Sequence, residues 1–308
     1  PVGMINVSVG GTPIEAWVSE ARLKSDPKMA KLFDGNWLEN PSLDRWCQSR
    51  ASLNLKRGLD GAFAIPSDEY GPNHSFKPGF MYRAGIAPFT PLSIRGALWY
   101  QGESNADDLG RTKIYDACFP LLVDEWRDKF KHSEMPVVFV QLPSLKRDHW
   151  PVFREYQRRS LAKLKNVGMA ITIDLGHPTD VHPRNKQPVG NRLAQWALVN
   201  TYGQPGLAMG PIFRSAKPVD GKLEISFGYV GSGLKTTNGK APLHFELAGK
   251  DGVYHPAVAK IQGTQVKITS KNVPLPKHAR YAWAPFPQPI PNLVNEVGLP
   301  MSPFSTEP

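Results

Sequence analysis

The stretch that decides the fold is "PVVFVQL" at residues 136–142, which is followed after a helix-length interval by "GMAITID" at residues 168–174. Both runs are rich in apolar residues, and the first is almost continuously so, which is typical of strands buried on both faces. The interval between them predicts a helix over about 151–165. A strand, a helix and a second strand in this order indicate a right-handed crossover and a parallel sheet covered by helices.

The chain on either side of this unit continues the alternation of strands and helices. Alternating or β-branched runs predict strands, and Gly, Pro and capping residues mark where helices begin and end. The expected elements are strands at 4–9 and 94–100, a helix start at Thr12 and Pro13, helices at 42–55, at 111–131 with a kink at Pro120 and at 189–202 with Gly203 as its stop, and a Gly- and Pro-rich loop over 58–93. We therefore predict an α/β fold for this part of the chain.

Beyond residue 210 the sequence pattern changes to short runs of alternating apolar and polar residues, such as "KLEISF" and "QVKITS", separated by Gly, Asn and Asp turns. This pattern predicts an all-β region, and we expect a small sandwich-like domain over about 211–285. The tail "LVNEVGLPMSPFSTEP" is expected to pack as extended chain on the body. The predicted organisation is an α/β domain over 1–210 and a β-rich domain with its tail over 211–308.

Composition excludes several classes of protein. The chain of 308 residues carries a formal net charge of +10, but its Lys and Arg residues are scattered, and no focused patch or module signature predicts nucleic-acid binding. A solvated basic surface explains this charge, and attraction of an anionic substrate is the alternative. No apolar run approaches the ~18 residues of a membrane span. The two cysteines, Cys47 and Cys118, either form one disulfide or lie as separate buried side chains.

The first residues, "PVGMINVSVGG", carry no charged leader or cleavage site and lead directly into the predicted strand at 4–9. They resemble the interior of a longer protein. We therefore expect either an N-terminal truncation or a separate partner segment.

Three polar or glycine-rich loops follow predicted parallel strands: Val9–Thr12, Gln101–Asn105 and the segment 174–187, "DLGHPTDVHPRNKQ". In an open α/β sheet, ligands bind beyond the carboxyl ends of the strands, so these loops are expected to converge. Gly10 and Gly11 offer two backbone donors suited to an oxyanion or a phosphate, although a glycine pair is more often a plain tight turn. No nucleotide-binding glycine motif is present.

A histidine in the third loop is the candidate general base. His182 lies two residues after Asp180, and Pro183 stiffens the loop. The alternative is a histidine that only forms hydrogen bonds within its loop. A metal site made by His177, Asp180 and His182 is a weaker possibility, because the spacing matches none of the strong zinc patterns.

Ser104 raises a separate question, because "GESNA" at 102–106 nearly matches the G-x-S-x-G turn that presents a nucleophilic serine. Against that reading, acidic loop rather than helix follows the serine. The amide and acid groups of Gln101, Glu103 and Asn105 suit a wall of hydrogen-bonding groups better than a nucleophile turn. The surrounding residues therefore favour a wall for Ser104, with a nucleophilic serine as the alternative.

Five segments together resemble sialate O-acetylesterases, members of the SGNH hydrolase superfamily that are related to acetylxylan esterases. These segments occur in the family's order and are "GMINVSVGGTPIEAWVS", "GIAPFTPLSIRGALWYQGESNA", "DVHPRNKQPVGNRLA", "RYAWAPFP" and "LVNEVGLPMSPF". The resemblance implies a flavodoxin-like three-layer sandwich and a serine esterase. The family's nucleophile lies in a G-Q-S-N motif, which this chain lacks.

Carried over residue by residue, the resemblance implies that His182 is the catalytic histidine. Its orienting partner is either Asp180, one position nearer than usual because Thr179 occupies the usual aspartate position, or a backbone carbonyl. His177 stands where an acidic or amide residue is expected. The oxyanion or substrate-binding residues implied are Gly10, Gly11, Gln101, Gly102, Glu103 and Asn105.

The expected reaction is hydrolysis of O-acetyl esters on a sugar, sialic acid before xylan, with no metal and no cofactor. The nucleophile would come from a segment outside this chain. An exported or lysosome-like setting is implied by the family. The alternative function is non-catalytic glycan binding, for which the β-rich region and exposed aromatic residues of "RYAWAPFP" would matter most.

Overall fold

The structure is a computed structural model that describes residues 2–307. Its chain forms two compact units, one made of 1–97 and 101–135 and the other of 98–100 and 136–308. The change of sequence pattern near residue 210 lies inside the second unit, and the domain boundary placed there stays a prediction.

The first unit is mainly helical. Its α-helices and a small hairpin among the described residues are α1 (Glu20–Lys24), α2 (Arg45–Leu59), β1 (Ser67–Asp68), β2 (Gly71–Pro72) and α3 (Leu109–Lys129). The segment predicted as loop also contains short helical turns over Tyr82–Ile86 and Ala87–Phe89. Asp44 caps α2 and Asp108 caps α3, each side chain accepting from a backbone N–H of the first turn. Pro120 lies inside α3, which continues through it.

Two predictions for the start of the chain differ from the structure. Residues 4–9 form no strand, because alternation makes a strand only where a neighbouring strand pairs with it, and no partner lies among residues 2–307. The expected helix at Thr12 is a single 3₁₀ turn over Ile14–Trp17, and the chain becomes extended at Val18 and Ser19 before α1 begins.

The second unit contains the predicted parallel sheet with its helices. Its strands and helices in this region are β3 (Ala97–Trp99), β4 (Val137–Val140), α4 (Trp150–Lys163), β5 (Val167–Ala170) and α5 (Gln187–Asn200). The sheet order is β3-β4-β5, and β4 pairs in parallel with β5. All four residues of β4 are buried, as the run of apolar residues predicts. Each strand is shorter than its sequence pattern.

Helix α5 is fixed against the sheet by close packing. Val140, Ala170 and Val189 form a buried cluster that brings the helix onto β4 and β5. Gly168 lies under the indole of Trp196, where an added β-carbon would come within 2.0 Å of the ring nitrogen. The segment that links β5 to α5 contains His182, so this packing fixes both ends of the candidate histidine loop.

The remainder of the second unit is all β, as predicted. Its strands are β6 (Ile212–Val219), β7 (Lys222–Gly228), β8 (Leu234–Thr236), β9 (Phe245–Ala248), β10 (His255–Pro256), β11 (Val258–Gln262), β12 (Gln265–Thr269), β13 (His278–Tyr281), β14 (Leu293–Asn295) and β15 (Phe304–Ser305). They form two four-stranded antiparallel sheets, β11-β12-β7-β6 and β10-β9-β13-β15, and a β14-β8 pair. The predicted class, an α/β fold with a parallel sheet followed by an all-β region, is confirmed.

The C-terminal tail packs on the body as extended chain, as predicted. Two parts of it also join sheets, because β14 pairs with β8 and β15 pairs with β13. Phe304 of β15 stacks at 4.7 Å on Phe213 of β6, and it also contacts the rings of Phe227 and Tyr281. The tail therefore completes one sheet and fills the core between two.

Candidate active site

The glycine pair forms a turn in the first unit, at the position predicted for it. Gly11 has a φ of +76°, and a β-carbon there would lie 3.1 Å from Phe76 and 3.2 Å from Trp46, so glycine suits both the backbone and the space. Thr12 fixes the turn, because its hydroxyl donates to the carbonyl of Val9. Within residues 2–307, neither glycine N–H donates a hydrogen bond, so two exposed donors remain at the turn.

The loop that follows β3 closes on this turn. Ser104 Oγ donates to the carbonyl of Gly11 at 2.8 Å, and Gln101 Nε2 donates to the carbonyl of Thr12 at 3.0 Å. Asn105 Oδ1 accepts from the backbone N–H of Ile14 at 2.9 Å. The hydrogen bond from the Ser104 hydroxyl therefore links the two loops.

The side-chain amides of this loop have fixed orientations. Gln101 Nε2 donates to two acceptors, the carbonyl of Thr12 and Asn105 Oδ1, which uses both of its hydrogens. Gln101 Oε1 is buried and accepts no hydrogen bond from the described part of the chain. Asn105 is fully buried, and its Nδ2 donates to Glu15 at 3.0 Å. The assignment of Gln101 and Asn105 to oxyanion or substrate binding stays a prediction.

The two other predicted residues of the loop flank these amides. Gly102 is buried and precedes the 3₁₀ turn formed by Glu103, Ser104 and Asn105. Glu103 is half-buried, and its predicted contact with substrate also stays a prediction.

A buried ion pair lies directly behind the wall. Glu15, with none of its surface exposed, accepts from Asn105 through one carboxylate oxygen and from Arg111 through the other. Asp44 lies 4.0 Å from Arg111 Nε. Burial disfavours the charged guanidinium, but the adjacent Glu15 carboxylate outweighs it and raises the pKa of Arg111. Arg111 therefore stays charged, and Glu15 fixes the orientation of the Asn105 amide by accepting from its Nδ2.

Sequence reasoning missed both members of this pair. The available signal was a single glutamate inside "IEAW", residues 14–17, whose three neighbours are apolar and buried. A charge in such a run needs a buried partner. Arg111 gave no comparable signal, because it is one of many basic residues on a predicted helix.

Asp180 and His182 lie together in the second unit, on the loop between β5 and α5. Asp180 Oδ1 accepts from the backbone N–H of His182 at 2.9 Å and lies 3.5 Å from the Nδ1 of the same residue. The first of these bonds lowers the pKa of Asp180. The side chain of His182 is 86% exposed, so its ring is accessible to a reacting group. The catalytic roles of both residues, and the convergence of their loop with the glycine turn, stay predictions.

The start of this loop is held by hydrogen bonds to the segment after β4. The backbone N–H of Ser144 donates to the carbonyl of Leu175, and the backbone carbonyl of Ser144 accepts from the N–H of His177. These two bonds form an isolated parallel bridge between Ser144 and Gly176. A β-carbon at Gly176 would lie 2.1 Å from the carbonyl oxygen of Ser144. The loop thus leaves the sheet in a fixed direction.

The base of the loop is fixed a second time by an ion pair. Arg192 of α5 donates to both carboxylate oxygens of Asp174, at 2.8 and 2.6 Å, and to the carbonyl of Ile171 at 2.6 Å. A bidentate pair of this kind adds geometric specificity to the attraction. Asp174 is the residue at which the predicted strand ends and the loop begins.

His177 takes a structural position within the loop. Its Nδ1 accepts from the backbone N–H groups of Asp180 at 3.0 Å and Thr179 at 3.3 Å. One ring nitrogen is therefore committed to the loop backbone. Among residues 2–307, no group of three His, Cys, Asp or Glu side chains is arranged to hold a metal ion.

The two cysteines are free and buried, so the alternative of a disulfide is wrong. Burial raises the pKa of the Cys47 thiol and of the Cys118 thiol far above the usual range. Both are therefore neutral thiols at physiological pH, and neither has the thiolate character of a nucleophile.

The segment "RYAWAPFP", residues 280–287, is only partly exposed. Tyr281 is fully buried, and Trp283 is half-buried. Arg154, itself fully buried, donates to the carbonyls of Ala284 and Pro285 at 2.6 and 3.1 Å. Burial lowers the pKa of Arg154 to about 9. The segment is therefore anchored to the core by carbonyl contacts.

Comparisons with known proteins identify the family of the chain. Residues 71–198 match a family described as carbohydrate esterase, sialic acid-specific acetylesterase. The chain is 30% identical over 235 residues to the sialate O-acetylesterase of Homo sapiens, a match covering 69% of this chain and 38% of that protein. It is 32% identical over 237 residues to that of Mus musculus, covering 69% of this chain and 42% of the mouse protein.

A solved structure extends the likeness to nearly the whole chain. The crystal structure of a carbohydrate acetylesterase from Xanthomonas citri superposes with a TM-score of 0.74 at 32% identity, covering 97% of this chain and 59% of that one. The chain thus spans less than two thirds of the length of each of these relatives. The matched family, the curated relatives and the solved structure agree, and the chain belongs to the sialate O-acetylesterase family of carbohydrate esterases.

Proposed function

We propose that this chain forms part of an esterase that removes O-acetyl groups from carbohydrates, with O-acetylated sialic acid as the preferred substrate. The reaction is a serine/histidine acyl transfer of the SGNH type. The nucleophilic serine lies on a segment outside these 308 residues. The alternative substrate is acetylated xylan, which carries no charge.

The relatives support the choice of reaction. The curated proteins are named sialate O-acetylesterases, and the solved structure is a carbohydrate acetylesterase. Because the chain covers only part of each relative, we propose the esterase activity for the longer protein to which this chain belongs. The 308 residues contain no G-Q-S-N, and Ser104 uses its hydroxyl to hold the glycine turn.

The observation that carries the proposal is the pair of exposed backbone donors at Gly10 and Gly11 on a turn fixed by the wall. Fixed N–H groups stabilise the negative oxygen of a tetrahedral intermediate without reorganising, and loss of one such donor typically costs about 2.7–4 kcal/mol in the barrier. The turn is fixed because Ser104 and Gln101 donate to its carbonyls.

In the proposed reaction the serine oxygen attacks the acetyl carbonyl while His182 accepts the serine proton. The backbone N–H of Gly11 and the serine's own N–H hold the oxyanion, and the buried Asn105 amide, which already bonds to Glu15, Ile14 and Gln101, supports the turn from behind. His182 then gives the proton to the departing sugar hydroxyl, and water releases acetate in a second round. Asp180 orients the imidazole through the contact at 3.5 Å.

The first residues of the chain are where the missing segment would attach. Met4, Ile5 and Val9 are exposed, and residues 4–9 alternate as a strand does without pairing in the described chain. An unpaired backbone of this kind is a template for strand addition.

The same proposal includes a location outside the cytoplasm. No helix among residues 2–307 is long and apolar enough to cross a membrane.

The test compares this chain with a longer polypeptide that includes the residues encoded before Pro1. Both are treated with a fluorophosphonate probe and analysed by mass spectrometry, and acetate release is measured with O-acetylated N-acetylneuraminic acid and with acetylated xylan. The longer polypeptide should be labelled on one serine of the added segment and should favour the sialate. His182→Ala in that polypeptide should abolish turnover.

Ser104→Ala is the matched control, and it should leave labelling of the longer polypeptide on the same serine. A probe adduct on any serine of the 308-residue chain would overturn the claim that the nucleophile lies elsewhere. Sugar binding without turnover by the longer polypeptide would favour the glycan-binding alternative. Faster turnover of the xylan would overturn the choice of substrate.

A further inference from the structure

An exposed tryptophan borders the glycine turn. Trp46, on the first turn of α2, keeps 51% of its surface exposed. A β-carbon at Gly11 would lie 3.2 Å from the edge of its indole. An acetyl group whose carbonyl sits at the turn carries its sugar ring a few bonds away. The indole is therefore placed where that ring would lie.

The indole is supported by a stack of rings that runs into the core. Trp46 stacks on Phe76 at 5.9 Å, Phe76 meets His74 edge to face at 4.7 Å, and His74 stacks on Trp37 at 6.1 Å. Phe76 and Trp37 are buried, and Trp37 Nε1 donates to a backbone carbonyl. A ring held in this way loses little conformational entropy when a ligand covers it.

A positive charge lies on the same face of the helix. Arg50 follows Trp46 by four residues, so the two side chains are neighbours one turn apart. Arg50 is exposed and forms no ion pair with a carboxylate of the described chain. The surface therefore offers a flat apolar ring and an available guanidinium side by side.

We propose that Trp46 and Arg50 form the subsite for the sugar, with the ring of an acidic monosaccharide on the indole and its carboxylate on the guanidinium. This inference rests on the proposed function and deepens it, since it assigns the preference for sialic acid to two residues. A xylose unit has no carboxylate and gains only the contact with the indole. An arginine fork matches the geometry of a carboxylate better than that of a neutral hydroxyl.

The test uses binding of sugars that carry no ester, so it does not depend on catalysis. N-acetylneuraminic acid and its methyl ester are titrated into the 308-residue chain by calorimetry. Arg50→Gln should weaken binding of the acid about fivefold and leave binding of the methyl ester unchanged. Trp46→Ala should weaken binding of both about tenfold, and Trp46→Phe should lose less because it keeps a flat ring.

Arg57→Gln is the matched control, because Arg57 is exposed on the same helix, about 16 Å along the axis from Trp46 and about 10 Å from Arg50. It should bind both sugars as the parent chain does. Equal losses in Arg50→Gln and Arg57→Gln would reduce the effect to general attraction by the net charge and overturn the proposal. Unchanged binding in Trp46→Ala, or no binding by the parent chain, would also overturn it.

The two proposals fail in different ways. An inactive long polypeptide whose 308-residue chain still shows this binding pattern would refute only the reaction. Full esterase activity without the pattern would refute only the subsite. If Trp46 instead contacts a second copy of the chain, Trp46→Ala would change the sedimentation coefficient and leave sugar binding unchanged, which contradicts the subsite.

Discussion

The buried pair behind the wall allows a quantitative prediction. Glu15→Gln keeps the shape of the side chain but removes its charge and one of its two acceptor oxygens. Arg111 and Asn105 donate to different oxygens of Glu15, so one of these two donors loses its acceptor. Arg111 also remains as a buried cation with only Asp44, at 4.0 Å, to balance it.

Removing one member of a buried ion pair costs about 3–5 kcal/mol, because the other charge is left in a medium that solvates it poorly. The residual attraction to Asp44 places the expected loss in the free energy of unfolding near the lower end, at about 3 kcal/mol. Replacing both members should cost less than replacing one. We expect the Glu15→Gln, Arg111→Met double variant to lose under about 2 kcal/mol.

The assay is urea unfolding followed by tryptophan fluorescence and by far-UV circular dichroism, with coincidence of the two transitions as the check on two-state behaviour. Glu20→Gln is the matched control. Glu20 pairs with Lys24 one turn away, and both side chains are substantially exposed, so the loss should be under about 1 kcal/mol. A loss in Glu15→Gln as small as this, or additive losses in the double variant, would refute the reasoning.

Three further predictions concern other parts of the chain. Gly176→Ala should destabilise the protein by at least about 2 kcal/mol in urea unfolding, because the φ of Gly176 is +122° and the new β-carbon would meet the carbonyl oxygen of Ser144. Gly190→Ala, on an open helix face, should instead stabilise the protein slightly. Equal effects of the two would contradict this account. Burial lowers the pKa of His74, so just below the usual histidine pKa the unfolded chain binds more protons than the folded chain, and the stability falls as the pH is lowered through this range. His74→Gln should reduce this slope, and an unchanged slope would exclude His74 as its cause. Cys47 and Cys118 should not react with a thiol reagent in the native protein and should react with two equivalents in denaturant, and rapid native labelling would contradict their burial.

The elements that sequence reasoning predicted well are those whose pattern is local. Strand β4 was predicted from "PVVFVQL" because a strand buried on both faces needs no polar alternation, and all of its residues are buried. Helix α5 lies two residues from its predicted position, with Gly203 at a φ of +69° shortly after its end. In both cases the information lies within one segment.

The elements that it missed depend on a distant partner. Strand β15 consists of two residues, Phe304 and Ser305, whose partners Tyr281 and Arg280 lie more than twenty residues earlier. Residues 4–9 show the reverse case, in which a strand pattern has no partner in the described chain. Pairing across the chain carries no signature in either segment taken alone, so neither outcome was accessible from periodicity.

The same distinction separates what was and was not predictable in the wall. The sequence predicted that "QGESN" supplies a set of hydrogen-bonding groups, because amide, acid and hydroxyl side chains are crowded there. It did not reveal the direction in which each group points. That direction follows from Glu15, which can only accept, so the nitrogen of the Asn105 amide faces it and the oxygen faces away.

From this point the orientation of each group determines that of the next. The oxygen of the Asn105 amide accepts from the backbone N–H of Ile14 and from Gln101 Nε2, and the same nitrogen of Gln101 also donates to the carbonyl of Thr12. Gln101 Oε1 is then left as the unsatisfied acceptor of the wall, and a buried acceptor without a donor costs free energy until one arrives. The buried carboxylate of Glu15 thus sets the polarity of the wall although it does not reach the surface.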